Sequence, residues 1–283
     1  HAICVSGDFD TCQDIVKGCF NDHYFRDEVN LSAINSINWA RLIPQIVYYF
    51  TSAVELGAPD QKVAFSVPTG NFGNIFAGWA AKQMGLPIDR LIVASNRNDI
   101  LPRFFENGKM VRETVHQSLS PSMDIQVSSN FERLLFELLE RDAELCAVKM
   151  KEFASTGFFD ISLGQLKVAK EIFAAYRVDD AKTTRRIKFL YDHYGMIFDP
   201  HSAVGLEAAK AARDDEVVSK NIPIISLACA HPAKFPDAVE NAIGVRPELP
   251  QHLFDLMDRQ ESKIDIDGKV EAIKELIFIN KRN

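Results

Sequence analysis

The stretch from residue 62 to residue 94 most constrains how this chain can fold. A short apolar run of strand type, Lys62 to Val67, leads through a turn-rich loop into an amphipathic segment, Asn74 to Met84, and then into a second apolar run, Leu91 to Ala94. Strand, loop, helix and strand within about thirty residues are typical of a βαβ unit, whose two strands are parallel. Such sheets carry helices on their faces and bind ligands beyond the carboxyl ends of their strands. The sequence therefore predicts an α/β fold with a mostly parallel sheet flanked by helices.

Apolar residues at helical spacing predict helices elsewhere in the chain. One of them follows Ser129, where an S-x-x-E capping-box pattern ends at Glu132. The other helices are predicted near residues 9–20, 38–56, 163–176, 183–194 and 200–213, and Ile222 to Ala228 is predicted to be the last buried strand.

The loop between the first strand and helix of this βαβ unit, residues 68–74, has the composition of a phosphate site. Gly70 and Gly73 let the backbone approach a ligand closely, and successive N–H groups at a helix N-terminus offer donors and positive potential. The side-chain amides of Asn71 and Asn74 add further donors. A tight strand-to-helix turn without a ligand is the alternative, because the glycine spacing matches neither the dinucleotide fingerprint nor the P-loop.

Composition narrows the classes of partner. The 32 lysines and arginines are outnumbered by 39 aspartates and glutamates, and the basic residues are scattered, so nucleic acid is not an expected partner. No apolar run is long enough to predict a membrane span. The five cysteines form no C-x-x-C pair, a pattern that favours reduced thiols in a cytoplasm, and the histidines show no metal-ligand spacing.

Four segments, in this order along the chain, resemble the threonine synthase family, in particular its bacterial and fungal branch. They are N-S-x-N-x-x-R at residues 35–41, S-V-P-T-G-N-F-G-N-I-F-A-G at 66–78, D-P-H-S-A-V-G at 199–205 and A-H-P-A-K-F at 230–235. The resemblance implies a fold-type II pyridoxal-phosphate enzyme with two domains and the site between them. Residues 1–36 are then expected to finish the smaller domain, and residues 37–283 to form the larger cofactor-binding domain with a C-terminal extension.

The same resemblance assigns roles to individual residues. It implies that Gly70, Asn71, Phe72, Gly73 and Asn74 bind the phosphate of pyridoxal 5'-phosphate. It also places Cys229, where the family usually has Thr, near the pyridine nitrogen of the cofactor; a buried core thiol is the alternative. Finally, it implies that Ser36, Asn38 and Arg41 hold the phosphate of O-phospho-L-homoserine, whereas the residues alone also fit a capped helix with a surface arginine.

The resemblance leaves the catalytic lysine unassigned. The family's lysine, which forms the aldimine with the cofactor, lies upstream in an F-K-D segment that this sequence does not contain, and Lys234 belongs to a different segment. The chain opens on an apolar strand pattern at Ala2 to Val5, so we expect upstream residues to be missing. No catalytic residue is therefore predicted within the chain, and we expect the 283 residues alone to be inactive.

The implied reaction is the conversion of O-phospho-L-homoserine and water to L-threonine and phosphate, the last step of threonine biosynthesis. Two alternatives remain open at this point: a phospholyase relative that releases a 2-keto acid, and a non-catalytic homologue that binds the cofactor or a phosphorylated metabolite. Oligomeric state and allosteric control leave no signature in the sequence.

Overall fold

A computed structural model describes residues 1–7, 9–35 and 38–281, with backbone only for residues 9 and 10. In chain order the strands are β1 (Ile3–Val5), β2 (Val63–Pro68), β3 (Ile88–Ser95), β4 (Lys109–Val111), β5 (Phe158–Asp160), β6 (Phe173–Arg177), β7 (Ile224–Ser226) and β8 (Ile264–Ile266). The α-helices are α1 (Phe9–Asn21), α2 (His23–Glu28), α3 (Trp39–Glu55), α4 (Gly73–Gln83), α5 (Ile100–Asn107), α6 (Phe131–Leu138), α7 (Ala143–Thr156), α8 (Leu163–Ile172), α9 (Asp180–Tyr194), α10 (Pro200–Asp214), α11 (Pro236–Ile243) and α12 (Val270–Lys281).

The chain divides into two compact units. The first contains residues 1–34 and 250–283, and the second contains residues 35–249. None of the helices among the described residues combines the length and the hydrophobicity that a membrane span requires.

The first unit joins the two ends of the chain. Strand β1 pairs in parallel with β8, and α12 supplies Phe278, whose ring meets that of the buried Phe25 edge-on at 5.1 Å. Lys274 of α12 also donates to Asp22 at 2.8 Å. The structure differs here from the predicted assignment of residues 250–283 to the larger domain. The difference is caused by the pairing of β1 with β8 and the packing of α12 on Phe25, because no local pattern in the sequence predicts contacts between the two ends of the chain.

The second unit is built on a four-stranded parallel sheet in the order β6-β3-β2-β7. The residues of β2 alternate between two cores, as the strand period of two requires. Val63, Phe65 and Val67 lie in the core shared with α3 to α8, and Ala64 packs in the core that includes α10. Every residue of β2 from Val63 to Val67 is fully buried, which is the pattern of a central strand covered on both faces. The predicted parallel α/β architecture is confirmed.

The bounds of two elements were predicted wrongly. The helix predicted to run to Tyr176 ends at Ile172, and Phe173–Arg177 instead form edge strand β6, paired with β3 from Leu91 to Ser95. Phe173 is 2% exposed, so its burial in the aromatic core outweighs the helical preference of the alanines that follow. Strand β7 is shorter than predicted, and β8 follows it.

Candidate functional site

The loop between β2 and α4 is anchored by one aromatic ring. Phe72 precedes the first residue of α4 and has a left-handed backbone, with φ of +62°, which is uncommon for a residue other than glycine. Its side chain is fully buried, and its ring centroid lies 5.1 Å from that of Phe131 and 5.6 Å from that of Phe173. The packing of this ring stabilises a backbone turn that the residue would otherwise avoid.

The loop presents a row of unpaired donors. Among the described residues, none accepts a hydrogen bond from the backbone N–H groups of residues 70 to 75. The first N–H groups of any helix lack intrahelical partners, which accounts for the three from Gly73 onward. Gly70, Asn71 and Phe72 extend this row into the loop. Unpaired N–H groups at the positive end of a helix are the donor set that binds a phosphate.

The acceptors of the same loop are occupied by the protein. Ser128 Oγ donates to the carbonyl of Gly70 at 2.8 Å, and the backbone N–H of Asn130 donates to the carbonyl of Asn71 at 3.1 Å. Ser129 donates twice to Asn71 Oδ1, from its N–H and from its hydroxyl, both at 2.8 Å. Carbonyl oxygens would repel an anion, and here they are turned towards neighbouring protein donors.

The predicted capping box at Ser129 is therefore wrong. Helix α6 begins at Phe131, its N-cap is Asn130 and the N-cap side chain makes no capping bond. Ser129 instead donates hydrogen bonds to Asn71, which lies 58 positions earlier in the sequence. A local pattern cannot reveal such a long-range partner, although two adjacent serines before a helix were its visible sign.

Gly70 is required by close packing. A Cβ atom built at this position would lie 3.1 Å from Met123 Cα and 3.3 Å from the carbonyl oxygen of Ser122. Both are backbone atoms, which yield less readily than the end of a flexible side chain. The segment around Met123 thus lies directly against the loop, and a larger residue would push the two apart.

A groove of about 650 Å³ brings three of the predicted site residues together. Its lining includes Arg41, Asn74 and Cys229, with Gln45 and Tyr48 on the same face of α3 as Arg41. Arg41 is exposed, and the described residues offer its guanidinium no partner. A free five-donor fork on a groove suits an anionic ligand.

The other two predicted substrate residues have different outcomes. Asn38 is the N-cap of α3, and its Oδ1 accepts from the N–H of Ala40 at 2.9 Å, as the capped-helix alternative predicted. Ser36 lies outside the described residues.

Two adjacent tyrosines of α3 bind Asn74, and the sequence analysis did not predict them. The hydroxyl of Tyr48 donates to Asn74 Oδ1 at 2.6 Å, and that of Tyr49 lies 2.9 Å from both oxygens of Asn74. Burial raises the pKa of Tyr48 to about 12, so its hydroxyl stays protonated and can donate. Their only sequence signal was Tyr48 at position i+7 from Arg41, which places both residues on one helical face.

Asp199 organises the far end of the groove. Its Oδ1 accepts from the N–H of His201 at 2.9 Å, and its Oδ2 accepts from the hydroxyl of Ser202 and from the N–H of Ala230, the latter at 3.3 Å. Ser202 Oγ in turn accepts from the N–H of Cys229 at 2.9 Å. Burial alone would raise the pKa of Asp199, but the hydrogen bonds from His201 and Ser202 outweigh it and lower this pKa. A buried carboxylate thus fixes the backbone on either side of the Cys229 carbonyl.

His201 links this end to the segment under the phosphate loop. Its Nε2 accepts from the backbone N–H of Ser122 at 3.2 Å, so the ring proton is on Nδ1, which donates to Asp199 at 3.0 Å. Because Ser122 and Met123 pack against Gly70, one histidine connects the surroundings of Cys229 with those of the loop.

Cys229 lines the groove, and protein atoms surround its thiol. Cys229 is exposed as a residue, yet its thiol has a pKa raised to about 12. Desolvation of the thiol by neighbouring protein atoms is the larger cause, and the negative charge of the Asp199 carboxylate is the second. A protonated thiol is a weak hydrogen-bond donor. Lys234 is not among the residues that line this groove; its Nζ lies over the ring of Phe235, 5.8 Å from the centroid.

Comparisons with known proteins show what the chain is similar to. Residues 202–277 match the family model described as threonine synthase, C-terminal. The chain is 49% identical over 262 residues to a threonine synthase of Pseudomonas aeruginosa, an alignment that covers 92% of this chain and 55% of that protein.

Solved structures give the same result. A PLP-bound threonine synthase from Brucella melitensis superposes with a TM-score of 0.90 at 49% identity, covering 100% of this chain and 60% of that one. For the threonine synthase from yeast the TM-score is 0.84 at 39% identity, with coverage of 99% and 58%. The chain thus spans a little over half the length of these relatives. By sequence and by fold, the chain belongs to the threonine synthase family.

Proposed function

We propose that the protein to which this chain belongs converts O-phospho-L-homoserine and water to L-threonine and phosphate with pyridoxal 5'-phosphate. The observation that carries the proposal is the row of unpaired N–H donors from Gly70 to Ile75, in a family whose Brucella melitensis member is described as PLP-bound. All five cysteines are free, which supports a reducing compartment such as the cytoplasm.

The loop fits the phosphate group of this cofactor. Gly70, Asn71, Phe72, Gly73 and Asn74 would surround the phosphate with backbone donors, while their own carbonyl oxygens are occupied by protein partners. When bound, the cofactor supplies a conjugated ring that accepts electrons from the substrate. Cys229 would lie beside the pyridine nitrogen and offer a neutral, weak donor there.

Arg41 would hold the substrate's phosphate. Its guanidinium is unpaired among the described residues and lines the same groove as Asn74 and Cys229. A fork of five donors binds a phosphate through two parallel hydrogen bonds. Asn38 and Ser36, which precede α3 in the sequence, complete the proposed substrate set, and Asn38 contributes by capping the helix that presents Arg41.

The chain supplies anchoring and orientation rather than proton transfer. The 283 residues contain no F-K-D segment, and they span a little over half the length of the relatives they match. We therefore propose that this chain alone binds the cofactor's phosphate but does not turn over substrate.

The first test uses the full-length protein. We expect phosphate release from O-phospho-L-homoserine together with equimolar L-threonine, measured by chromatography of the products. The variant Arg41→Met should raise KM for this substrate roughly tenfold or more, because a charged hydrogen-bonded contact is worth about 1.5–3 kcal/mol. Arg185→Ala, which removes an exposed arginine on α9, is the matched control and should leave KM unchanged.

The products separate the alternatives. A 2-keto acid in place of threonine would assign the phospholyase reaction, because the two reactions differ only after phosphate has left. No phosphate release from a protein that binds the cofactor would assign a non-catalytic homologue.

A further inference from the structure

The orientation of the Asn71 side-chain amide is fixed by its neighbours. An asparagine presents an acceptor oxygen on one side and two N–H donors on the other, and the two are usually hard to tell apart. Here the backbone N–H of Ser129, which can only donate, lies 2.8 Å from Asn71 Oδ1. Rotating the amide by half a turn would bring donor against donor. The oxygen therefore faces Ser129, and Nδ2 faces away from it.

The Ser129 hydroxyl reinforces this orientation. It donates to the same oxygen at 2.8 Å, so the Asn71 carbonyl has both of its acceptor positions occupied by one residue. Nδ2 of Asn71 has no acceptor among the described residues, and it belongs to the loop whose backbone N–H groups are also unpaired. Asn74 follows the same pattern, because Tyr48 and Tyr49 both approach its Oδ1.

We propose that Ser129 is a positioning residue of the anion site: it holds the oxygen of the Asn71 amide and thereby directs the NH2 group to the bound phosphate. The inference rests on the proposed function, since it assigns a role towards the cofactor's phosphate. Ser129 itself does not touch the anion. Its effect passes through Asn71, and this indirect route can be tested.

The probe is pyridoxine 5'-phosphate, which keeps the ring and the phosphate of the cofactor but has no aldehyde to react with surface lysines. Its dissociation constant for the full-length protein, freed of cofactor, is measured by calorimetry, and its location by shifts of the Gly70–Asn74 amide signals in NMR spectra. Binding with such shifts supports the anion site. A chain that binds neither this probe nor inorganic phosphate overturns both the positioning role and the cofactor site.

Ser129→Ala removes the hydroxyl and leaves the N–H. We expect binding to weaken about two- to tenfold, the effect of one ordinary hydrogen bond. Ser129→Thr, which restores a hydroxyl, should bind within about twofold of the original chain. Ser155→Ala is the matched control, because Ser155 is exposed on α7 and bonds only within its own helix.

A double-mutant cycle distinguishes positioning from a general effect on the loop. Asn71→Asp keeps an oxygen towards Ser129 but places a second oxygen where the NH2 group was, so binding should weaken at least tenfold by charge repulsion. In that background Ser129→Ala should have almost no further effect, since both sides of the side chain are then oxygen. An equal loss from Ser129→Ala in both backgrounds, or no loss in either, would overturn the positioning role while leaving the cofactor site intact.

Discussion

The two ends of the candidate site use their backbone donors in opposite ways. At the loop after β2, the N–H groups of Gly70 to Ile75 are unpaired and the carbonyl oxygens are occupied. After β7, the N–H of Cys229 donates to Ser202 Oγ and the N–H of Ala230 donates to Asp199 Oδ2. Since β2 and β7 are neighbouring parallel strands, both ends lie at one edge of the sheet. The loop end therefore leaves its backbone donors available, whereas the Cys229 end uses its donors to fix its own backbone.

The two ends also differ in how they are held in place. The loop is anchored by an aromatic ring, Phe72, in an apolar core. The Cys229 end is anchored by the buried carboxylate of Asp199, which has neutral hydrogen-bond donors as partners. Because hydrophobic packing does not titrate and a carboxylate does, only the Cys229 end should lose its support in acid.

Phe72→Ala should have the largest effect on stability. Truncating a fully buried phenylalanine costs about 3–5 kcal/mol, and the loop loses the ring that stabilises its left-handed backbone. Urea unfolding followed by tryptophan fluorescence measures this in the second unit, because both tryptophans, Trp39 and Trp79, lie there.

The control for this variant is Phe189→Ala, which removes a ring that is 39% exposed and should cost about 1 kcal/mol or less. A loss at Phe72 no greater than at Phe189 would show that the loop is held by its backbone contacts alone.

The sequence predicted the two ends of the site to different extents. The strand–loop–helix unit and its donors follow from local rules, since Gly70, Gly73 and the helix start at residue 73 are all encoded within a few positions. Arg41 and Cys229 came from the family resemblance, and the structure places both on one groove.

The supporting partners could not be predicted from local sequence, because they come from distant positions. Ser128 and Ser129 reach the loop across 58 positions, and Tyr48 reaches Asn74 across 26. In the same way, the residues of β6 were predicted to continue a helix. Their pairing partner β3 lies some 80 positions earlier in the chain, so no local pattern shows that they form a strand. Local patterns determine which groups are available, and tertiary contacts determine which of them are occupied.

Asp199→Asn should have the second largest effect, about 2–4 kcal/mol, at the Cys229 end. An amide would place NH2 against the Ser202 hydroxyl or the Ala230 N–H, so one buried donor loses its acceptor. The folded protein lowers the pKa of Asp199. The stabilisation is therefore complete above the carboxyl's ordinary pKa, and it is lost as pH falls through the lower folded-state pKa.

This prediction is checked by urea unfolding of the original chain and the variant between pH 3 and pH 8. The difference in unfolding free energy should be constant from about pH 5 upwards and should shrink below about pH 4. A difference that stays constant across the whole range would mean that the ionised carboxylate adds nothing beyond its shape.

Cys229→Thr should have the smallest effect, and it is a selective one. A hydroxyl is a better donor than a thiol, so a ligand that presents a pyridine nitrogen should gain affinity, whereas a ligand that occupies only the loop should not. We expect pyridoxine 5'-phosphate to bind about two- to fivefold more tightly, in the range of part of a hydrogen bond, with the affinity for inorganic phosphate unchanged. Cys12→Thr, at an exposed position of α1, is the control and should alter neither. Equal gains for both ligands would place the thiol's influence at the phosphate end, and the two ends of the site would then not be separate. A gain for pyridoxine 5'-phosphate alone requires that the two ends act separately.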